Sequence, residues 1–391
     1  MSSDILVINS GSSSIKFGLY DGAGKDLTSL GHGVIAGIGT TPKLHAFDSN
    51  NALIADEQLK KGSDHTQSMS ALLDWILNSG AGGNFSAIGH RVLHGGSLYA
   101  APVLITDEVL NQLDKFDPLG PLHQPHNVLG IRILAGLLPN VPQVACFDTA
   151  FHCTLPKVAR QFAIPKTLYN EGLKRYGFHG LSYEYMSECL PGIMGKKVAA
   201  GRVIVAHLGN GASMCAMKDG HSVATTMGFT ALDGLPMGTR CGDLDAGIIL
   251  YLLNERRMSS KDISDLLYNK SGLLGISGVS SDMQELLLSD AEGAREAIDF
   301  YVYRINREVG ALSAIMGGLD ALVFTAGVGE NSATIRSRVC ELAAWTGIKL
   351  DAQANEDNAL RISASDSNVP VWVVPTQEEL MIARHAQRLL D

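Results

Sequence analysis

Two stretches of eighteen residues in this chain share one pattern, with few identities between them. Ile5–Gly22 reads ILVINSGSSSIKFGLYDG and Val203–Gly220 reads VIVAHLGNGASMCAMKDG, aligned without a gap at an offset of 198 residues. Asn9 meets His207, Gly11 meets Gly209, and Asp21-Gly22 meets Asp219-Gly220. Each copy reads as a buried strand, a tight Gly/Ser turn, a second strand and an Asp-Gly hairpin turn. The offset is about half of the 391 residues, and a chain this long exceeds what one hydrophobic core usually serves. A chance likeness between two hairpins would leave only the length argument. A duplicated unit predicts more: two similar α/β halves whose Gly-rich turns line one cleft.

The rest of the chain fits an α/β class. ILVIN, VIVAHL, ALVFTAG and VPVWVVP are apolar runs that lead into turns, and helical periodicity runs over Thr66–Asn78, Asp243–Glu255 and Glu292–Met316. Ligands in such folds sit at strand ends. Several classes are set aside by composition. A net charge of −9 without a block of Lys and Arg argues against a nucleic-acid partner or an anionic membrane. No apolar run approaches a membrane span, and the N-terminus lacks the pattern of a signal peptide, so a cytoplasmic protein is expected. Six cysteines without a C-x-x-C pair read as buried thiols rather than disulfides or a zinc site.

Three glycine-rich turns follow apolar runs: Asn9–Ser14 with Lys16 beyond it, His207–Ser213, and Gly327–Asn331. Backbone N–H groups and hydroxyls in such turns can cup phosphate oxygens; an ordinary polar hairpin would look the same. No Walker A pattern occurs, which sets aside a P-loop NTPase. Arg91, Arg175 and Arg240 are each flanked by glycines, which suits presentation of a guanidinium fork to carboxylate or phosphate oxygens. Asp148 ends an apolar run, and Thr376 with Glu379 has the spacing of a helix capping box that would put Glu378 in a first turn. His90 and His94 have H-x-x-x-H spacing, but the glycines around them argue against a metal-binding helix.

Together, INSGSSSIKF, GHRVLHGG, FDTAFH, RYGFHG, VAHLGNGAS, MGFTALDGLPMGTRCGD, SGVSSDM, FTAGVGEN and VPTQEELMIAR resemble, in order and over nearly the whole chain, the acetate and propionate kinase family. The resemblance implies a two-domain actin-like fold, a duplicated ribonuclease-H-like core with the active site in the interdomain cleft. Residues 1–149 plus 377–391 would form the N-terminal domain and 150–376 the nucleotide-binding domain. It implies ATP-dependent phosphorylation of acetate to acetyl phosphate with ADP as product, Mg²⁺ or Mn²⁺ as the cation, and a homodimer. Carried over by position, Asp148, His179 and Arg240 would be catalytic. Arg91, Val92, Leu122 and Phe178 would bind the acyl substrate, and Asn9 and Glu378 would act in the metal environment. The nucleotide would meet Ser12, Lys16, His207, Leu208, Gly209, Asn210, Gly211, Asp282, Met283, Gln284, Gly327, Val328, Gly329, Glu330 and Asn331.

An acetate-type acceptor is already ionised at neutral pH, so Asp148 is expected to orient a partner rather than to abstract a proton, against the acid/base role the resemblance implies. Three departures from the family pattern stand out: Leu181-Ser182-Tyr183 for Thr-Ser-His, Ala231 for a proline, and Gln284 for an arginine. Alternatives are a propionate kinase of the same mechanism, a sugar kinase, and an actin-like filament or nucleotide-gated binding module.

Overall fold

A computed structural model describes residues 3–24, 26–79, 82–121 and 123–390. The chain divides into two compact units, Met1–Ala150 with Gln377–Asp391, and Phe151–Thr376. Strands of the first unit are β1 (Asp4–Ser10), β2 (Ser14–Asp21), β3 (Thr28–Ala36), β4 (Lys43–Asp48), β5 (Leu53–Gln58), β6 (Phe85–Val92), β7 (Val103–Leu104) and β8 (Gln143–Phe147). Those of the second are β9 (Arg202–Leu208), β10 (Ala212–Lys218), β11 (His221–Thr225), β12 (Ala321–Thr325) and β13 (Val371–Val373).

The duplication is visible in the topology. The first sheet has the order β5-β4-β3-β2-β1-β6-β8-β7 and the second β11-β10-β9-β12-β13. The five strands β3-β2-β1-β6-β8 therefore match β11-β10-β9-β12-β13. In both, the hairpin strands run antiparallel and the two that follow are parallel to the first. β1 and β9 begin and end 198 residues apart. Parallel strands buried on both faces need uninterrupted apolar runs, and every residue of β8 and of β12 is buried.

The gapless alignment fails at the turn. Ser10 pairs with Ile15, but Leu208 pairs with Ala212, so the second turn is one residue shorter. Asn9 faces Lys16 while its counterpart His207 faces Ser213. The two Asp-Gly pairs also part company. Asp219 (φ 52°) and Gly220 (φ 73°) form the expected tight turn between β10 and β11. Asp21 ends β2, but β3 starts only at Thr28, and Asp21 Oδ1 accepts from Ala23 N across a longer loop.

Helices cover both sheets. Glu292–Met316 forms as read from its periodicity, the first expected helix runs His65–Ser79, and the second starts late, at Ala246, capped by Asp245. In the first unit Leu6, Ile8, Phe17 and Leu19 pack against Met69, Leu72 and Ile76 of the His65–Ser79 helix. In the second, Val203, Val205, Cys215 and Val323 pack with Tyr183 and Met186 of the helix Gly180–Ile193. Among the described residues no helix is long and apolar enough to cross a membrane.

Candidate active site

In the first unit the ends of three neighbouring strands bring Asn9 (β1), Arg91 (β6) and Asp148 (just past β8) together. Arg91 Nε donates to Asp148 Oδ1 at 3.1 Å and Nη2 to Oδ2 at 2.5 Å, a two-pronged pair. Arg91 Nη1 reaches Asn9 Oδ1 at 3.4 Å, and Nε lies 4.0 Å from Glu378 Oε2. Glu378 opens the helix Glu378–Leu390. Asp148 is fully buried, whereas the Arg91 side chain keeps 24% of its surface and so has a face for a ligand. Burial works against the Arg91 charge, but Asp148 and Glu378 outweigh it and hold the guanidinium protonated. Burial pushes the Glu378 carboxyl up to about 7, with Asp148 and Glu379 adding to the rise and Arg91 and Lys16 opposing it. Lys16 stands across from Asn9 on β2 and is exposed, as is Ser12 in the preceding turn. Val92 is fully buried within a cluster that includes Leu113, Ile131 and Phe147. Leu122 lies outside the described residues.

In the second unit His179 caps the helix Gly180–Ile193 in a left-handed backbone conformation (φ 58°). Its ring stacks on His207 with centroids 4.2 Å apart, and its Nδ1 lies 2.8 Å from Ser213 Oγ. Arg240 Nη1 donates to the Ala231 carbonyl at 2.7 Å. A Cβ added to Gly211 would stand 2.9 Å from Arg240 Nη2 and 3.3 Å from His179 Nε2, so both groups converge on the Gly209-Asn210-Gly211 turn. Phe178 is 1% exposed, and its carbonyl accepts from His152 Nε2 at 2.9 Å.

A cavity of about 800 Å³ adjoins that turn. Gly209, Asn210, Asp282, Met283, Gln284, Gly327, Val328 and Asn331 line it, as the sequence led us to expect of a nucleotide site. Gly238, Leu273, Ser281, Leu287, Tyr301 and Ser332 also line it; Gly238 and Ser281 lie inside quoted motifs without having been singled out, and Tyr301 of the helix Glu292–Met316 carried no sequence signal. His207, Leu208, Gly211, Gly329 and Glu330 do not border this cavity. Leu208 is wholly buried. Glu330 Oε1 accepts from Ala326 N (2.7 Å), Thr376 N (3.1 Å) and Thr325 Oγ1 (3.3 Å), so this carboxylate clamps the glycine turn.

Other residues that stood out in the sequence have structural work. Arg175 Nη1 binds the carbonyls of Thr225, Thr226 and Met227, and lies 3.3 Å from Asp233. Asp243 pairs with Arg304 and Arg307. The Thr376 hydroxyl donates to Ser182 Oγ at 2.9 Å. His90 bonds Gln143, and the His94 Nδ1 accepts from Gly96 N.

Duplicated sheets, an arginine–carboxylate set at strand ends in one unit, and a glycine-walled cavity beside His179 and Arg240 in the other define an actin-like phosphotransferase. The model of the acetokinase family matches residues 4–384, and the chain belongs to that family. An acetate kinase of Rhodopseudomonas palustris is 55% identical, covering 100% of this chain and 99% of the relative. Among solved structures, the acetate kinase of Porphyromonas gingivalis is 39% identical with a TM-score of 0.89 and full coverage of both chains. A propionate kinase of Francisella tularensis is 37% identical with a TM-score of 0.91, covering 99% of each.

Proposed function

We propose that this chain transfers the γ-phosphoryl group of ATP to acetate, reversibly, giving acetyl phosphate and ADP. The observation that carries the reading is the Arg91–Asp148 pair: a charged fork, rigidly held yet part-exposed, suited to a carboxylate acceptor. An ionised carboxylate needs no base, and the barrier is an anion approaching a polyanion. Arg91 holds the acceptor. Asp148 has both oxygens on Arg91, which supports an orienting role over proton abstraction. Arg240 and His179 donate to the equatorial oxygens as charge spreads over them. The Gly209–Gly211 turn and the cavity beside it take the nucleotide, with Lys16 and Ser12 assigned to its phosphates.

The family's usual cation fits the donors present. Asn9, Asp148 and Glu378 offer hard oxygens, and a carboxyl raised by burial beside other acids is relieved by a divalent cation. Among the described residues no group of three His, Cys, Asp or Glu forms a protein metal cage. Mg²⁺ commonly needs only one or two carboxylates together with substrate phosphates. Asn9 and Glu378 would hold it, and when bound it neutralises charge on the transferred phosphoryl. Mn²⁺ takes similar donors.

Thiols at Cys146, Cys215 and Cys340 are buried as expected, Cys189 and Cys241 are half-buried and Cys153 is exposed; buried thiols support a reducing, cytoplasmic setting. A homodimer is supported by the helix Ala246–Asn254, AGIILYLLN, none of whose residues is buried. The test of the function is ADP release, which should require acetate. Arg91→Ala should lower kcat/KM for acetate about 100-fold or more while ATP binding persists. Acetate-independent ADP release, or an unaffected variant, overturns the reading.

A further inference from the structure

The stacked imidazoles of the second unit are each anchored by a serine with no exposed surface. His179 Nδ1 lies 2.8 Å from Ser213 Oγ and His207 Nδ1 2.9 Å from Ser182 Oγ. Each serine meets a second hydroxyl: Thr376 Oγ1 donates to Ser182 at 2.9 Å, and the Tyr183 hydroxyl lies 2.6 Å from Ser213 Oγ. Serine has one proton to give, and a phenol is a better donor than an aliphatic hydroxyl. With Tyr183 donating to Ser213, the serine proton goes to His179. Nδ1 is then the acceptor and the ring hydrogen sits on Nε2.

That outer nitrogen is the one beside the Gly211 turn and Arg240. A bare Nε2 would turn a lone pair toward phosphoryl oxygens, whereas Nε2–H donates to them. Tyr183 is placed for this by the helix: its N–H bonds the His179 carbonyl at 3.1 Å, one turn back. Its ring, without exposed surface, meets His152 edge-on with centroids 5.5 Å apart. The left-handed His179 backbone costs energy in a non-glycine residue and persists where its surroundings over-determine it.

We infer that Tyr183 is a positioning residue for His179, holding it through Ser213 in the tautomer that presents Nε2–H beside Arg240. The inference rests on the assignment of His179 to the transferring phosphoryl.

Tyr183→Phe removes the hydroxyl and keeps the ring. In nitrogen-15 spectra of the full-length protein at mildly alkaline pH, His179 should be one Nε2–H tautomer, and a tautomer mixture in Tyr183→Phe. The kcat should fall about tenfold, with KM for acetate and ATP moving less than about twofold. Ser213→Ala should produce the same loss, and adding Tyr183→Phe to it should change nothing further. An unchanged tautomer and kcat in Tyr183→Phe, or losses that multiply in the double variant, overturn the relay. If Tyr183→Phe does not fold, Ser213→Ala decides through its tautomer: a mixture supports the relay and a wild-type pattern overturns it. Undiminished acetyl phosphate formation by His179→Gln would instead overturn the assignment of His179 itself.

Discussion

Asp148 concentrates the chemical argument at the scale of one residue. It is wholly buried, and Arg91 engages both of its oxygens. An asparagine there keeps one acceptor, turns an amide N–H₂ toward the guanidinium, and removes the charge that holds Arg91 in place. We expect Asp148→Asn to lower kcat/KM for acetate by about 100-fold, mainly through KM, in steady-state acetate titrations. Near-normal kinetics would contradict both an orienting and an acid/base role. The sequence marked Arg91, Arg175 and Arg240 alike, because each sits between glycines. What separates them is tertiary. Arg175 meets three carbonyls and Asp233, while Arg91 meets a buried carboxylate at the ends of parallel strands. Glu330 shows the same limit: its position in a glycine turn suggested a ligand contact, and its partners make it a clamp.

At the scale of elements, the glycine turn after β12 is held by a residue that the sequence hid. Arg336 lies in the helix Ala333–Leu342, where a charged side chain usually marks a solvated face. It is instead fully buried. It bonds the carbonyls of Gly329 and Glu330, both the side chain and the carbonyl of Asn355, and the side chain of Asn358. Arg336→Leu leaves those acceptors unsatisfied and should destabilise the protein by about 3 kcal/mol or more in urea unfolding, with weaker ATP binding. A variant of unchanged stability would contradict the clamp. His152 supplies a second expectation. Burial lowers its pKa to about 4 against an ordinary value of 6.5, and Nε2–H donates to Phe178 O while Nδ1 accepts from Ser222 Oγ. Between those values the unfolded chain takes up a proton and the folded one does not. Stability is thus complete above pH 6.5 and falls toward pH 4. His152→Gln should reduce the difference in urea midpoint between pH 7 and pH 5, and an equal difference in both proteins would contradict it. Strand placement was legible because parallel strands buried on both faces demand apolar runs. The register slip between the two hairpins was not, because turn length is set by backbone geometry that the aligned residues do not encode.

For the whole molecule, the repeat at half-length pointed to a duplicated α/β unit, and five strands of the eight-stranded first sheet follow the order of the five-stranded second. The net charge of −9 argued against a nucleic-acid partner but not against a small anion, since Arg91, Lys16, His179 and Arg240 act locally. Chain association belongs to this scale as well. Ile248, Leu250, Tyr251 and Leu253 are 38–58% exposed on one uncharged helix, and a second copy of the chain is the expected cover. Leu250→Asp should shift a dimer toward monomer in sedimentation equilibrium, and a wild-type monomer would contradict this. Acetate and propionate kinases share the fold, and one methylene discriminates by only about 1–3 kcal/mol, so the acceptor must be measured. The most direct measurement incubates the protein with MgATP and hydroxylamine and with acetate, propionate or glycerol in turn, and quantifies the trapped hydroxamate. The account predicts acetohydroxamate at the highest kcat/KM, less product from propionate, and none from glycerol. ATP turnover at the same rate without a carboxylate, or without any hydroxamate from acetate, would contradict it.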